Sequence, residues 1–387
     1  MDVLFIINWL ALLLSFFVAG CVLGVAFSKP FRQAVVETVK RITGVELSRT
    51  LLNPIIRPNQ HPWQAEAVFN PAAAIINDRT HLIYRAIGTD GLSRLGYASS
   101  PDGITFDERL PYPVYVSSNP SGHGAPTGPL RRYSPVMYPS GGSWGGYEDP
   151  RMVAIDGRVY VTFNLFENWA LRVGYISMSE EDFLAKRFYK WEGPVVLSHG
   201  SRDKNWVLFP EKINGQFAVL HSIIGDTPDR VRIEYTDNLK TLRSRQFVSP
   251  DPQQVPDQPI VWHVHVRSAG PPPLKTSRGW LLFYHANDAK EWQRYKIGAM
   301  LLDLNDPTKI IARAHTPVLE PDFEYENAGK PGIVYACGAT IQDGHVYLYY
   351  GGADKVICVA SAHLKRFIDA LIKDKDADLS PAPLQAP

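Results

Sequence analysis

Five times between residues 70 and 360 the chain repeats one short pattern: a strand-like run closed by turn residues, an apolar second run, and a third run. The first runs start at Asn70-Pro71, Asp149-Pro150, Phe209-Pro210, Pro272-Pro273 and Cys337-Gly338, and they close near Arg79, Gly157, Gly215, Gly279 and Gly344. The second runs are Leu82 to Arg85, Val159 to Asn164, Phe217 to His221, Leu281 to His285 and Val346 to Tyr350. Third runs follow at Arg94 to Ala98, Arg172 to Ile176, Val231 to Tyr235, Lys296 to Met300 and Lys355 to Val359. A hairpin plus one strand cannot bury both of its faces, so a period of about 65 residues requires neighbours that stack. The repeat therefore predicts an all-β, five-bladed β-propeller over residues 52–367, with the first strand of each blade lining a central channel.

In that register Asn70 and Asp149 are equivalent and sit at the channel mouth. The second strands end there in Arg85, Asn164, His221, His285 and Tyr350, polar groups placed where an apolar strand stops. The densest chemistry lies in Gly145 to Gly157, where Tyr147-Glu148-Asp149-Pro150-Arg151 precedes an apolar run. Successive strand residues face opposite ways, so Asp149 and Arg151 share one face while Glu148 and Pro150 take the other. An acid beside a base at a strand entrance marks a candidate site.

The ends read differently. From Val3 to Phe27 no charged residue appears, about the length a helix needs to cross a bilayer. Only Asp2 precedes this span, and Lys29, Arg32, Lys40 and Arg41 follow it. The expectation is an uncleaved transmembrane anchor over 1–28, a juxtamembrane amphipathic helix or linker over 29–51, and a main domain facing the cytoplasm. The alternative is an exported lipoprotein, since Val18-Ala19-Gly20-Cys21 resembles a lipidation site. Residues 368–387, charged and then rich in Pro and Ala, are expected to be a disordered tail.

Forty basic and thirty-nine acidic residues leave a formal charge of +1, too little to recruit nucleic acid. Cys21, Cys337 and Cys358 show neither metal-ligand spacing nor a disulfide framework, and no His/Cys/Asp cluster calls for a metal.

The repeat region resembles glycoside hydrolase family 130, the β-mannoside phosphorylases and related β-mannosidases. The resemblance rests on Asn70-Pro71, Tyr84 to Gly88, Asp90 to Gly96, Asp102 to Phe106, Tyr147 to Arg151 and Leu208 to Ile213. Further along it rests on Gly270 to Thr276, Gly279 to His285, Leu301 to Pro307 and Tyr349 to Asp354. It implies that Asp149 is the general acid and that its proton reaches the glycosidic oxygen through a hydroxyl of the mannosyl unit. By the same resemblance Asn70 and Arg85 hold the mannose, with Asp90, Arg94 and Asp354 beside them; Glu148 and Arg151 are further candidates for binding the substrate. Trp262, Tyr349 and Tyr350 are candidate stacking faces, with core packing as the alternative for each.

Displacement at an anomeric centre needs an acid for the leaving oxygen and a nucleophile from the opposite face, with inversion when the nucleophile is external. A phosphate nucleophile needs convergent cations, for which Arg172, Lys204, Lys212 and His285 are the candidates. A water nucleophile needs a second carboxylate, for which Glu211 and Glu234 are the candidates. The resemblance to the family's phosphorylases implies His-Arg where this chain reads His221-Ser222, so one phosphate-binding cation is missing from that pattern. The expectation is a β-mannoside phosphorylase that uses inorganic phosphate as co-substrate and no other cofactor. An inverting β-mannosidase and a non-catalytic, membrane-tethered glycan-binding propeller are the alternatives. A homo-oligomer is allowed.

Overall fold

The computed structural model describes residues 47–118, 126–167, 170–198, 204–222, 231–242, 265–287, 291–314, 316–330, 332–373 and 384–385. A short strand, β1 (Ser48–Arg49), precedes five consecutive antiparallel units. The first holds β2 (Ala67–Ile76), β3 (Arg79–Ile87), β4 (Leu92–Ser100) and β5 (Glu108–Arg109). The second holds β6 (Gly145–Ile155), β7 (Arg158–Glu167), β8 (Ala170–Ser179) and β9 (Glu192–Val196). The third is β10 (Lys204–Leu208), β11 (Phe217–Ser222) and β12 (Val231–Thr236). The fourth is β13 (His265–Ala269), β14 (Leu274–Thr276), β15 (Gly279–Asn287), β16 (Lys296–Leu302) and β17 (Ile310–Arg313). The fifth, β18 (Val334–Gln342), β19 (His345–Gly352) and β20 (Val356–His363), is completed by β1, which pairs antiparallel with β20.

The units bury their faces against one another. Ile83, Leu95 and Tyr97 of the first pack with Val159, Val161 and Phe163 of the second. Trp206, Leu208 and Val219 of the third join Val153 and Tyr175 of the second, while Val207 and Leu220 meet Trp280 and Leu282 of the fourth. Leu281 and Phe283 pack with Val334 and Leu348, and Tyr349 and Ile357 of the fifth pack with Val68 and Leu82 of the first. Burying one such side chain contributes roughly 1.5–3 kcal/mol, gained only when the neighbouring unit is in place.

Three expectations are corrected. The described strands form four sheets and not the five separate blades of a closed propeller, because parallel pairing of Leu92 with Gly145 and Ser93 with Gly146 fuses the first two units. No helix among the described residues is long and apolar enough to cross a membrane, so neither a transmembrane helix ahead of the β domain nor a single-pass cytoplasm-facing placement is upheld. The apolar stretch 1–28 and Cys21 lie outside the described residues. The domain limits also move, since Leu47 and β1 belong to the fifth unit, where Arg49 forms a buried pair with Glu326 at 2.7 Å. At the other end the helix Leu364–Lys373 buries Phe367, Ile368 and Leu371, so residues 368–373 are packed against the domain.

Every first strand carries a break in register at one level. The breaks fall between Phe69 and Ala72, Glu148 and Arg151, Lys204 and Val207, Val266 and Ser268, and Ala336 and Gly338. In the first three the leading bulge residue is left-handed: Asn70 at φ 47°, Asp149 at φ 49° and Asn205 at φ 62°. Asn and Asp tolerate that conformation because their short polar side chains bond locally, and a bulge re-aims the side chain it carries. Pro71 and Pro150 follow as second bulge residues, where a missing N–H disturbs the ladder least. Close approach fixes one glycine here, since a Cβ on Gly351 would lie 2.2 Å from Asn70 Oδ1.

Candidate active site

The bulge in β6 turns Asp149 inward, and Arg151, two residues on, holds it by donating from Nη1 to the Asp149 carbonyl at 2.6 Å. Asp149 Oδ1 accepts from Asn70 Nδ2 at 2.7 Å and from Arg85 Nη1 at 3.3 Å. Oδ2 has no hydrogen-bond partner among the described residues, and the side chain keeps 12% of its surface open. One oxygen is thus anchored while the other faces the opening. That is the geometry of a carboxyl that exchanges a proton with something arriving from outside.

Arg85 ties the site together. Its Nε donates to Ser93 Oγ at 2.9 Å, and its Nη2 donates to Ser140 O, Ser143 Oγ and Glu148 Oε1 at 2.7, 2.8 and 2.7 Å. The guanidinium lies 4.7 Å from the centre of the Phe69 ring. Glu148 Oε2 accepts from Ser140 Oγ at 2.7 Å, and Oε1 accepts from Ser143 Oγ at 3.1 Å. With 1% of Glu148 exposed, this carboxylate is committed to Arg85 and to the 140–143 turn.

The adjacent carboxyls are pushed apart. Burial raises the proton affinity of Glu148, opposed by Arg85 and reinforced by Asp149. Burial also pushes Asp149 up, but Arg85, Arg151, the Asn70 hydrogen bond and Lys204 together outweigh it and hold Asp149 below the usual carboxylate range. Asp354, in the left-handed turn after β19, is pushed up by burial against the pull of Lys330 and Arg85. It lies 3.6 Å from Lys330 Nζ.

Beneath Asp149 the packing is aromatic. His285 Nε2 accepts from the Ala336 N–H at 3.0 Å, so Nδ1 carries the proton and points to Ser268 Oγ at 3.1 Å. The ring stacks on Tyr335 at 3.9 Å. Burial, aided by the Arg151 cation, pushes His285 down to about 3. It is a neutral spacer with both nitrogens engaged and offers no cation to phosphate.

The expected residues fall in different places. Asp149, Asn70, Arg85, Glu148 and Arg151 are gathered in one cluster, with Asp354 and Lys204 close enough to act on its charge. Asp90 and Arg94 form an ion pair at the rim, where Asp90 keeps half its side-chain surface exposed. Arg172 is half-buried on β8 beside Leu165 of β7. The rest lie elsewhere. Lys212 pairs with Asp156 Oδ2 at 2.8 Å, at the opposite end of β6 from Asp149, on the order of 20 Å away along the strand. Tyr350 is wholly buried, its hydroxyl donating to Glu326 Oε1 at 2.8 Å, and Tyr349 donates to the Gly103 carbonyl at 2.9 Å. Neither ring is a sugar platform. Glu211 is tied to exposed Lys275, and Glu234 sits 3.8 Å from His221. Trp262 lies outside the described residues.

Three contributors were not foreseen. Asn205 is the true counterpart of Asn70 and Asp149 in the third unit, four residues before Phe209-Pro210, and it exchanges hydrogen bonds of 3.2 and 2.8 Å with Asn164. Alignment on proline hid it; alignment on the left-handed-tolerant Asn or Asp would have found it. Ser140 and Ser143 come from a connection that carries no repeat signal. Among the described residues no group of three or more His, Cys, Asp or Glu could hold a metal ion.

Comparison with known proteins adds the lineage. A family model described as beta-1,4-mannooligosaccharide phosphorylase matches residues 132–373. A 1,2-beta-oligomannan phosphorylase of Thermoanaerobacter sp. (strain X514) is 36% identical over 336 residues, covering 83% of this chain and 98% of that protein. A beta-1,2-mannobiose phosphorylase of the same organism is 33% identical over 81% of this chain and 96% of its own length. The structure of beta-1,2-mannobiose phosphorylase from Listeria innocua, solved with beta-1,2-mannobiose, superposes with a TM-score of 0.63 at 23% identity, over 84% of this chain and 98% of that one.

Proposed function

Because the chain belongs to glycoside hydrolase family 130, we propose that it is a β-mannoside phosphorylase that works with inversion and uses Asp149 as its general acid. It is an enzyme acting on β-mannosides. The observation that carries the assignment of the acid is the half-anchored Asp149 carboxyl, one oxygen held by Asn70 and Arg85 and the other at the opening.

The free site holds Asp149 ionised, so a proton must be gained as the reactants enter. A sugar that fills the opening removes the remaining water, and a phosphate dianion adds negative charge; both raise the proton affinity of the carboxyl. Protonated Asp149 then gives its proton, by way of a mannosyl hydroxyl, to the glycosidic oxygen. The C1–O bond to the acceptor breaks as a phosphate oxygen bonds to C1 from the opposite face. Hydrogen phosphate brings the proton that returns to Asp149, and α-mannose 1-phosphate leaves with the shortened acceptor. Two relatives named for β-1,2-linked mannans make a β-1,2-oligomannoside the first substrate to test.

Lys204 and Arg172 are the proposed cations for phosphate, the co-substrate. Lys204→Ala should raise the KM for phosphate by about ten- to a hundredfold, the worth of one charge-assisted hydrogen bond, and should leave the KM for the mannoside nearly unchanged. Steady-state kinetics with each substrate varied in turn checks this; equal rises in both constants would contradict the assignment. The family resemblance implies an arginine where this chain has Ser222, and that departure favours a second reading, hydrolysis by an inverting β-mannosidase.

A further inference from the structure

Glu148 is adjacent to the acid yet makes no approach to the opening. It is wholly buried, and among the described residues its carboxylate accepts hydrogen bonds from Arg85, Ser140 and Ser143. A buried carboxylate is costly unless its charge is matched, so its presence beside a second carboxylate calls for a function. The geometry of Arg85 supplies one. This single guanidinium serves two neighbouring acids unequally, at 2.7 Å to Glu148 and 3.3 Å to Asp149.

Resting on the reading of Asp149 as the general acid, we propose that Glu148 is a positioning residue that sets when Asp149 is protonated: by taking the shorter arm of Arg85 it keeps that cation from pinning Asp149 as a carboxylate. Electrostatics reaches Asp149 from every side. Arg85 on β3, Arg151 on β6 and Lys204 on β10 favour its charged form. Glu148 on β6 and Asp354 after β19 oppose it. Tyr335 and Cys337 on β18 and His285 on β15 stay neutral, since burial raises the first two and lowers the third. Of the two opposing acids, only Glu148 shares a guanidinium nitrogen fork with Asp149 in contact range.

The sign follows. An acid catalyst works while protonated, so kcat falls as pH rises through its pKa in the ternary complex. Removing the Glu148 charge takes away a neighbour that favours protonated Asp149 and leaves Arg85 to pair with Asp149 alone; both lower its pKa. In Glu148→Gln, measured at saturating β-1,2-mannobiose and phosphate, the basic limb of the kcat profile should move down by about one pH unit or more, a tenfold loss at a fixed pH above it. Glu148→Asp, which restores the charge, should return the limb toward its original position.

A role confined to packing predicts a lower kcat at every pH with the limb unmoved, and that result overturns the proposal. If Glu148→Gln does not fold, Ser140→Ala decides instead. It removes the donor to Glu148 Oε2, weakens the ionised form of Glu148, and should move the limb the same way by a smaller amount. An unmoved limb there also overturns it. An Asp149→Asn enzyme that stays active and keeps its basic limb would defeat the underlying reading, whereas an inactive Asp149→Asn with an unmoved limb in Glu148→Gln would defeat this inference alone.

Discussion

Asp149→Asn should lower kcat on a β-1,2-mannobiose by at least about a hundredfold, the least that a positioned general acid contributes. The amide keeps the size of the carboxyl, and its oxygen still accepts from Asn70 Nδ2, so the bulge and the fold should survive. What disappears is the proton on the oxygen at the opening. A mannoside with a strongly activated leaving group needs little protonation, so on an aryl β-mannoside the loss should be far smaller. That difference between substrates separates lost acid catalysis from general damage. Equal losses on both would mean that Asp149 positions the sugar and another group supplies the proton.

Arg85→Met should be the most destabilising single change in the site, by about 3–5 kcal/mol, the usual consequence of removing one partner of a buried charge pair. It strands Glu148 and Asp149 side by side and leaves Ser93, Ser140 and Ser143 without their donor. Uncompensated and buried, the two carboxyls would have folded-state pKa values above their unfolded ones. The folded protein then binds more protons than the unfolded chain, so the variant should gain stability as pH falls and lose it as pH rises through those values. Urea unfolding at several pH values measures both effects. Arg85→Lys keeps a charge but loses the fork that reaches five acceptors, and it should fall between the two in stability. A loss under about 1 kcal/mol for Arg85→Met would show that water reaches the pair and screens it.

Much of the site was legible because its residues sit where strands break their own rules. Asn70 and Asp149 precede prolines inside otherwise regular strands, and both are left-handed bulge residues in the structure. Arg85, Asn164, His221, His285 and Tyr350 end the apolar runs, and all five lie at the level of the bulges. Their fates differ for reasons the repeat does not encode. Arg85 finds two carboxylates, His285 finds a backbone N–H and a tyrosine face, and Tyr350 turns into the core toward Glu326. Lys212 failed as a phosphate candidate because strand length matters: it follows β10 at the far end, where Asp156 holds it. Sheet count was also hidden, since two residue pairs between β4 and β6 suffice to fuse two units and leave no mark in a hydrophobicity pattern.

The central claim is transfer to phosphate, and product analysis tests it most directly. Incubate the 387-residue chain with β-1,2-mannobiose, with and without inorganic phosphate, and measure mannose 1-phosphate against free mannose together with the anomeric configuration at early times. The account predicts α-mannose 1-phosphate and one equivalent of mannose only when phosphate is present, and no turnover without it. Two equivalents of mannose released at full rate in phosphate-free buffer would contradict it, and the chain would then be an inverting hydrolase whose catalytic base is still to be found.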